Sequence, residues 1–282
     1  MRTFSELDAL RAQVAAWKRN GERIGFVPTM GNLHAGHVSL VALAKAHADR
    51  VVASVFVNPT QFGPKEDFAR YPRTPEADAQ ALEAAGCDAL WLPGVDTMYP
   101  FGAAGAVALR VPGITEVLEG GHRPGHFDGV ATVVARLFNQ VSPDVAVFGR
   151  KDYQQLAVIR YLVRDLAFPI ALVAAETLRA DDGLALSSRN QYLSPDERTR
   201  APAIHRTLLA MREAMLRGAD REAIERDANA ALRAAGFVPD YAAIRRADLA
   251  IPVPGERGAL VALIAARLGN TRLIDNLEFT VG

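Results

Sequence analysis

Cysteine is almost missing from the sequence: 282 residues contain one, Cys87. A single thiol excludes a disulfide framework and a cysteine-based zinc site. It fits a reducing compartment. An excess of either charge is missing too, because 32 Lys and Arg balance 32 Asp and Glu. That removes the basic footprint of a nucleic-acid binder. No apolar run reaches the ~20 residues of a transmembrane helix; Ala259-Leu260-Val261-Ala262-Leu263-Ile264-Ala265-Ala266 is among the longest. The start, Met1 to Asp8, has no apolar core of an export signal. Repeats and low-complexity segments are absent. These absences together predict a cytoplasmic protein with neither a membrane nor a nucleic acid as partner. What remains is an ordinary globular composition, 50% hydrophobic and 23% charged. The length allows one large or two modest domains, with a substantial core.

The apolar pattern divides the chain. From Ser5 to Arg19, Leu7, Leu10, Val14 and Trp17 recur at helical spacing, with Ser5 as the expected N-cap and Asp8 completing a capping box. Short apolar runs then alternate with helical segments. Strands are predicted at 24–29, 51–57, 89–92, 145–148 and 170–174, and helices at 37–48, 75–85, 129–141 and 153–166. The β-branched run Val51-Val52-Ala53-Ser54-Val55-Phe56-Val57 reads as a parallel strand buried on both faces. This alternation predicts an α/β fold with a parallel sheet. Beyond Ala175 the order changes to two helices, 201–217 and 221–235, and three strands, 241–245, 260–265 and 272–277. The prediction is a first domain over 1–175 and a small α+β domain over 176–282, with the boundary near Glu176.

In open parallel sheets the ligand lies beyond the carboxyl ends of the strands, so the loops there are where chemistry is expected. The first is Pro28-Thr29-Met30-Gly31-Asn32-Leu33-His34-Ala35-Gly36-His37. A helix start offers unpaired N–H groups and a positive dipole end to phosphate. His34 and His37 would add donors where transition-state charge accumulates. Gly31 and Gly36 permit close approach of the backbone. The second loop, Asn58-Pro59-Thr60-Gln61-Phe62-Gly63, fits equally a proline turn closing the strand and a site for a small polar substrate held by Asn58 and Gln61. In the third, Gly149-Arg150-Lys151-Asp152-Tyr153-Gln154-Gln155, Lys151 is a compact charge for phosphate. Asp152 is either a ribose acceptor or a helix N-cap, and Gln155 lies one turn in. The fourth, Leu186-Ser187-Ser188-Arg189-Asn190, has the hydroxyls and arginine of a phosphate clamp. Arg123 sits in a glycine-rich loop between His122 and His126. Two loop histidines four apart are a poor metal site, and no metal ligands are assigned.

His34-Ala35-Gly36-His37 matches the His-x-Gly-His signature of the nucleotidyltransferase superfamily. Taken with Phe56-Val57-Asn58-Pro59-Thr60-Gln61-Phe62, Tyr71-Pro72-Arg73-Thr74, Phe148 to Leu156 and Leu186 to Asn190, in that order along the chain, the sequence closely resembles the pantoate–β-alanine ligase (AMP-forming) family. The resemblance implies a Rossmann-like first domain with a smaller α+β lid domain. It also implies an ATP-dependent condensation of (R)-pantoate with β-alanine through a pantoyl adenylate, releasing pyrophosphate and AMP. It implies Mg2+ carried with ATP, and a homodimer. Carried over by motif, Met30, Gly31, Asn32, Leu33, His34, Ala35, Gly36, His37, Gly149, Arg150, Lys151, Asp152, Leu178, Leu186, Ser187, Ser188 and Arg189 meet the nucleotide. His37, His34 and Lys151 are the catalytic groups. Gln61, Gln155, Asn58 and Arg123 meet the other substrates. Two positions depart from the family pattern: Thr60 stands where Met is usual, and Glu176 where Pro is common.

Two other enzyme readings and one non-enzyme reading compete. Another His-x-Gly-His adenylyltransferase would use ATP without an amine acceptor. A tRNA synthetase conflicts with the balanced charge. A non-catalytic nucleotide-binding module would keep the glycines but not Lys151, Arg189, His34 and His37.

Overall fold

The computed structural model describes Met1 to Gly282 apart from Lys65 and Asp67. In chain order the first elements are β1 (Arg2–Phe4), α1 (Leu7–Arg19), β2 (Ile24–Thr29), α2 (Ala35–Lys45), β3 (Arg50–Val55), α3 (Pro75–Ala84) and β4 (Ala89–Trp91). Then come α4 (Val95–Met98), α5 (Glu119–His122), α6 (His126–Val141), β5 (Val145–Gly149), α7 (Tyr153–Asp165) and β6 (Ala171–Ala175). The chain ends with α8 (Pro195–Arg200), α9 (Ala203–Leu216), α10 (Arg221–Ala234), β7 (Val238–Arg246), β8 (Gly258–Leu268) and β9 (Thr271–Val281). Two compact units result. One is Met1–Arg150 with Gln155–Glu176, and the other is Lys151–Gln154 with Thr177–Gly282.

The first unit is a parallel six-stranded sheet in the order β1-β4-β3-β2-β5-β6. Alternate residues of each strand feed two cores. Phe26, Val52, Trp91, Ala146 and Phe148 pack with Leu10 and Val14 of α1, Phe138 of α6 and Leu156 of α7. Val27, Val51, Ala53, Leu90 and Val147 pack with Leu40 and Val41 of α2 and Leu82 of α3. Burial on both faces explains why these strands read as continuous apolar runs. The second unit is the antiparallel sheet β7-β8-β9. Its core joins Ala242, Ile244, Leu260 and Ile264 to Ile204 and Leu208 of α9 and Ile224 and Leu232 of α10. The expected fold class, a Rossmann-like parallel sheet and a smaller α+β unit, is the one observed.

The chain leaves β2 toward β3 and later returns to β5 on β2's other side. This makes β2/β5 the topological switch point, where such sheets open a crevice. The pairing shows that opening. β2 pairs with β3 out to Thr29, and β5 with β6 out to Gly149. Between β2 and β5 the register stops at Phe26 and Ala146. Pro28 gives a reason. The Thr29 carbonyl accepts from Phe56 N on the β3 side, so by alternation Pro28 faces β5, and it has no N–H to offer.

Several sequence expectations need correction. The N-cap of α1 is Glu6, with no side-chain cap bond, so Ser5 and Asp8 form no capping box. α2 starts at Ala35, not His37, because His34 itself caps it. The helix expected from Gly129 starts at His126. A strand at Arg2–Phe4 and the helix α8 had not been expected. The latter is marked by a capping box between Ser194 and Glu197. The Lys151–Gln154 segment clusters with the second unit rather than with the strand that leads to it.

Candidate active site

The loop after β2 is held by backbone demand. Gly31 and Asn32 both have positive φ, +82° and 51°, a region that suits glycine. The buried carboxylate of Asp78, from the first turn of α3, accepts from Asn32 N at 3.0 Å and Leu33 N at 2.8 Å. A Cβ on Gly31 would stand 2.8 Å from that carboxylate. Thr29 Oγ1 donates to Ser54 O and accepts from Gly31 N. Asp78 was missed by sequence reading, since in sequence it is an ordinary first-turn acid.

The loop delivers two imidazoles to the start of α2. His34 Nδ1 accepts from Gly36 N at 3.0 Å, and His37 Nδ1 accepts from His34 N at 3.3 Å. The rings lie 4.1 Å apart between centroids. An imidazole that accepts at Nδ1 carries its proton on Nε2 when neutral. The fold thus fixes both tautomers and makes both Nε2–H groups donors at a helix N-terminus.

The loop after β3 is organised around Asn58, only 1% exposed. Its amide nitrogen donates to Gln61 Oε1 and to Gly129 O, both at 3.1 Å. Its oxygen accepts from Tyr99 OH at 2.6 Å, Thr60 Oγ1 at 3.0 Å and Thr60 N at 3.3 Å. That engages every donor and acceptor of the side chain. The expected substrate contact Asn58 is therefore a scaffold for Gln61, whose Nε2 donates to Met30 Sδ at 3.2 Å. This bond joins the first two loops. Thr60, the departure from the family pattern, turns its hydroxyl to Asn58 and Tyr99, so the added polarity is used within the protein.

Arg123 forms a two-bonded ion pair with Glu66, at 2.8 and 2.6 Å, and also meets Glu119 at 3.4 Å. Its Nη1 lies 3.1 Å from His126 Nε2, and His126 Nδ1 lies 2.8 Å from Gln61 O. Because Arg123 can only donate, His126 accepts at Nε2 and donates from Nδ1. Burial, then the Arg123 charge, pushes His126 down to about 4. The histidine is a neutral strut between Arg123 and the Gln61 backbone, with both ring nitrogens engaged by the protein. Arg150 pairs with the exposed Glu176 at 3.0 Å, so the second departure from the family pattern supplies a partner for a residue expected at the nucleotide. Gln155 is half-buried in α7.

In the second unit, Leu178 and Leu186 face each other across a short hairpin, with Leu186 N donating to Leu178 O at 2.9 Å. Ser187 Oγ accepts from Arg189 N at 3.2 Å and caps the turn of 3-10 helix Ser188–Tyr192. Lys151 is half-buried and Asp152 exposed. Among the described residues there is no group of three or more His, Cys, Asp or Glu able to hold a metal, and no helix long and apolar enough to cross a membrane.

Comparison with known proteins gives the family. Residues 2–278 match the family model described as pantoate–β-alanine ligase. Over 279 residues the chain is 65% identical to a pantothenate synthetase of Stenotrophomonas maltophilia and 64% to one of Xanthomonas euvesicatoria, covering 99% of this chain and 100% of each relative. Among solved structures, a pantothenate synthetase of Thermus thermophilus is 50% identical, with a TM-score of 0.91, covering 98% of this chain and 99% of the other. A pantoate–β-alanine ligase of Francisella tularensis, complexed with β-γ ATP and β-alanine, is 31% identical, with a TM-score of 0.82 and coverage of 98% and 97%.

Proposed function

The chain belongs to the pantoate–β-alanine ligase family, and from that membership we propose how its residues carry out ATP-dependent formation of pantothenate. A carboxylate resists an amine because its leaving group would be oxide. In the proposed course the carboxylate of (R)-pantoate attacks the α-phosphate of ATP. The bond from that phosphorus to the bridging oxygen breaks, and pyrophosphate departs. The amine of β-alanine then attacks the acyl carbon of pantoyl adenylate. The bond to the AMP oxygen breaks, the nitrogen loses a proton, and pantothenate and AMP result.

One observation carries the reading: two imidazoles with fixed Nε2–H donors at the start of α2, in the loop that leaves β2 at the switch point. Donors preorganised toward developing phosphate charge stabilise a transition state more than a ground state. His34 and His37 fill that role, with Met30–Leu33, Ala35, Gly36, Gly149 and Arg150 along the nucleotide. Lys151, Asp152, Leu178, Leu186, Ser187, Ser188 and Arg189 are assigned to the same ligand, and Lys151 and Arg189 neutralise phosphate. Gln61 and Gln155 hold pantoate, with Asn58 orienting Gln61 and Arg123 bracing that loop. Magnesium arrives as the counter-ion of ATP. A homodimer and a cytoplasmic setting belong to the same proposal. Sedimentation at the mass of one 30.4 kDa chain would remove the dimer.

The test is the order of product release. With Mg-ATP and pantoate but no β-alanine, the enzyme is expected to release about one pyrophosphate per site in a burst, with AMP following only when β-alanine is added. Pyrophosphate that appears only with β-alanine excludes a separate adenylate step. Appearance of ADP would replace it with an acyl phosphate.

A further inference from the structure

We propose that Asp275 and Asn276 of β9 are a shared positioning pair for two segments assigned to the nucleotide, the Leu178–Leu186 hairpin with its following turn and the Lys151 backbone. The proposal deepens the reading given above and rests on it. The middle of β9 reads Leu273-Ile274-Asp275-Asn276-Leu277. Asp275 and Asn276 interrupt the apolar stretch formed by Leu273, Ile274 and Leu277, and they are 4% and 6% exposed. A carboxylate buried to that degree is costly unless it is paired and hydrogen-bonded.

Asp275 is paired through Arg179, whose guanidinium donates to its two oxygens at 2.6 and 2.9 Å. The same guanidinium donates to Gly183 O at 3.1 Å and Asn276 O at 3.3 Å. Gly183 lies in the hairpin turn, so Arg179 ties the hairpin to β9 and to its own turn at once. The hairpin closes through Ala180 N to Leu184 O at 2.8 Å and Leu186 N to Leu178 O at 2.9 Å. Asn190 Nδ2 donates to Ala185 O at 2.9 Å and fastens the turn that carries Ser187, Ser188 and Arg189. The location of this whole segment follows from that of Arg179.

Asn276 projects from the opposite face of the strand, as successive strand residues do. Its Nδ2 donates to Lys151 O at 2.8 Å. One dipeptide therefore registers the backbone of Lys151 and the serine–arginine turn against the same strand. Both residues act through others, so their effect falls on ATP and leaves pantoate untouched. A bidentate fork also explains an arginine at 179, because lysine would give a single point of attachment.

The experiment uses the full chain with Asn276→Ala and, separately, Arg179→Lys, which keeps the charge facing Asp275. Binding of a non-hydrolysable ATP analogue is measured calorimetrically, giving affinity and site number independently. The pantoate KM is measured at saturating ATP. The expected result is an ATP-analogue Kd about tenfold weaker, as for loss of one buried hydrogen bond, with an unchanged site number and an unchanged pantoate KM. A variant that loses sites or thermal stability while its remaining sites keep wild-type Kd would overturn the proposal, since that is what a merely structural pair would do. If Asn276→Ala does not fold, Arg179→Lys decides by the same criteria. An unaltered chain that fails to bind the analogue would overturn the nucleotide reading itself, and the positioning proposal with it.

Discussion

Gln61 is one polar side chain whose direction is set by several others. Asn58 holds its oxygen, Met30 takes its N–H, and His126 meets its carbonyl. Gly129 does the rest by having no side chain: a Cβ there would lie 2.4 Å from Thr60 O and 2.7 Å from Gln61 Cα. In a helix, alanine is favoured over glycine by roughly 1 kcal/mol, so propensity and packing oppose each other in Gly129→Ala. The clash is with backbone, which cannot swing away, and packing should prevail. The variant is expected to raise the pantoate KM by about tenfold, since displacing a positioning group by ~1 Å can cost up to 10²-fold. An unchanged pantoate KM in steady-state assays would remove Gln61 from that pocket. His126 makes a second residue-level prediction. Its folded value near 4 lies below its ordinary 6.5. The unfolded chain therefore takes up a proton that the folded chain refuses, and this contribution to stability is lost as pH falls from 6.5 toward 4. Urea midpoints at pH 7 and pH 5 should drop less in His126→Gln than in the parent chain. Equal drops would show that His126 titrates normally in the fold.

At the scale of elements, legibility followed the physics of burial. β2, β3 and β5 were readable because burial on both faces demands continuous apolar runs, α3 because Pro75 suits the first position of a helix, and α10 because amphipathic spacing follows the cap Asp220. β1 was not, since a three-residue edge strand has too few residues to show a period and takes its hydrogen bonds from β4. The start of α2 was misplaced by two residues because histidine is not a usual N-cap. Only the folded loop shows its Nδ1 accepting from Gly36. The same distinction holds in the site. Histidines, glycines and Lys151 announce their chemistry by type and loop position. Asp78, Tyr99 and Asp275 act through partners distant in sequence, and nothing local distinguishes a first-turn acid that clamps another loop from one that is solvated. Asn58 stands out in the sequence as a polar residue at a strand end, but its saturation by five hydrogen bonds is visible only in the fold.

At the scale of the whole molecule, the cores of the two units share no residue. Those of the first run from Leu10 to Ala175, and that of the second from Leu184 to Leu273. Trp17 and Trp91, the two tryptophans of the chain, both lie in the first unit, and Trp91 is fully buried against Gln140. Tryptophan emission is therefore a probe of the first unit alone, whereas far-ultraviolet circular dichroism sums helices and strands of both. A smaller unit buries a smaller fraction of its unfolded surface, so the second unit is expected to unfold at lower denaturant. Two-state unfolding requires that different probes trace the same transition. In urea, the circular dichroism signal is expected to begin its loss before the tryptophan emission shifts. The early phase should match the α9, α10 and β7–β9 content of the second unit, with the late phase alone visible in fluorescence. Superimposable curves from the two probes would mean that the chain unfolds as one cooperative body despite its separate cores.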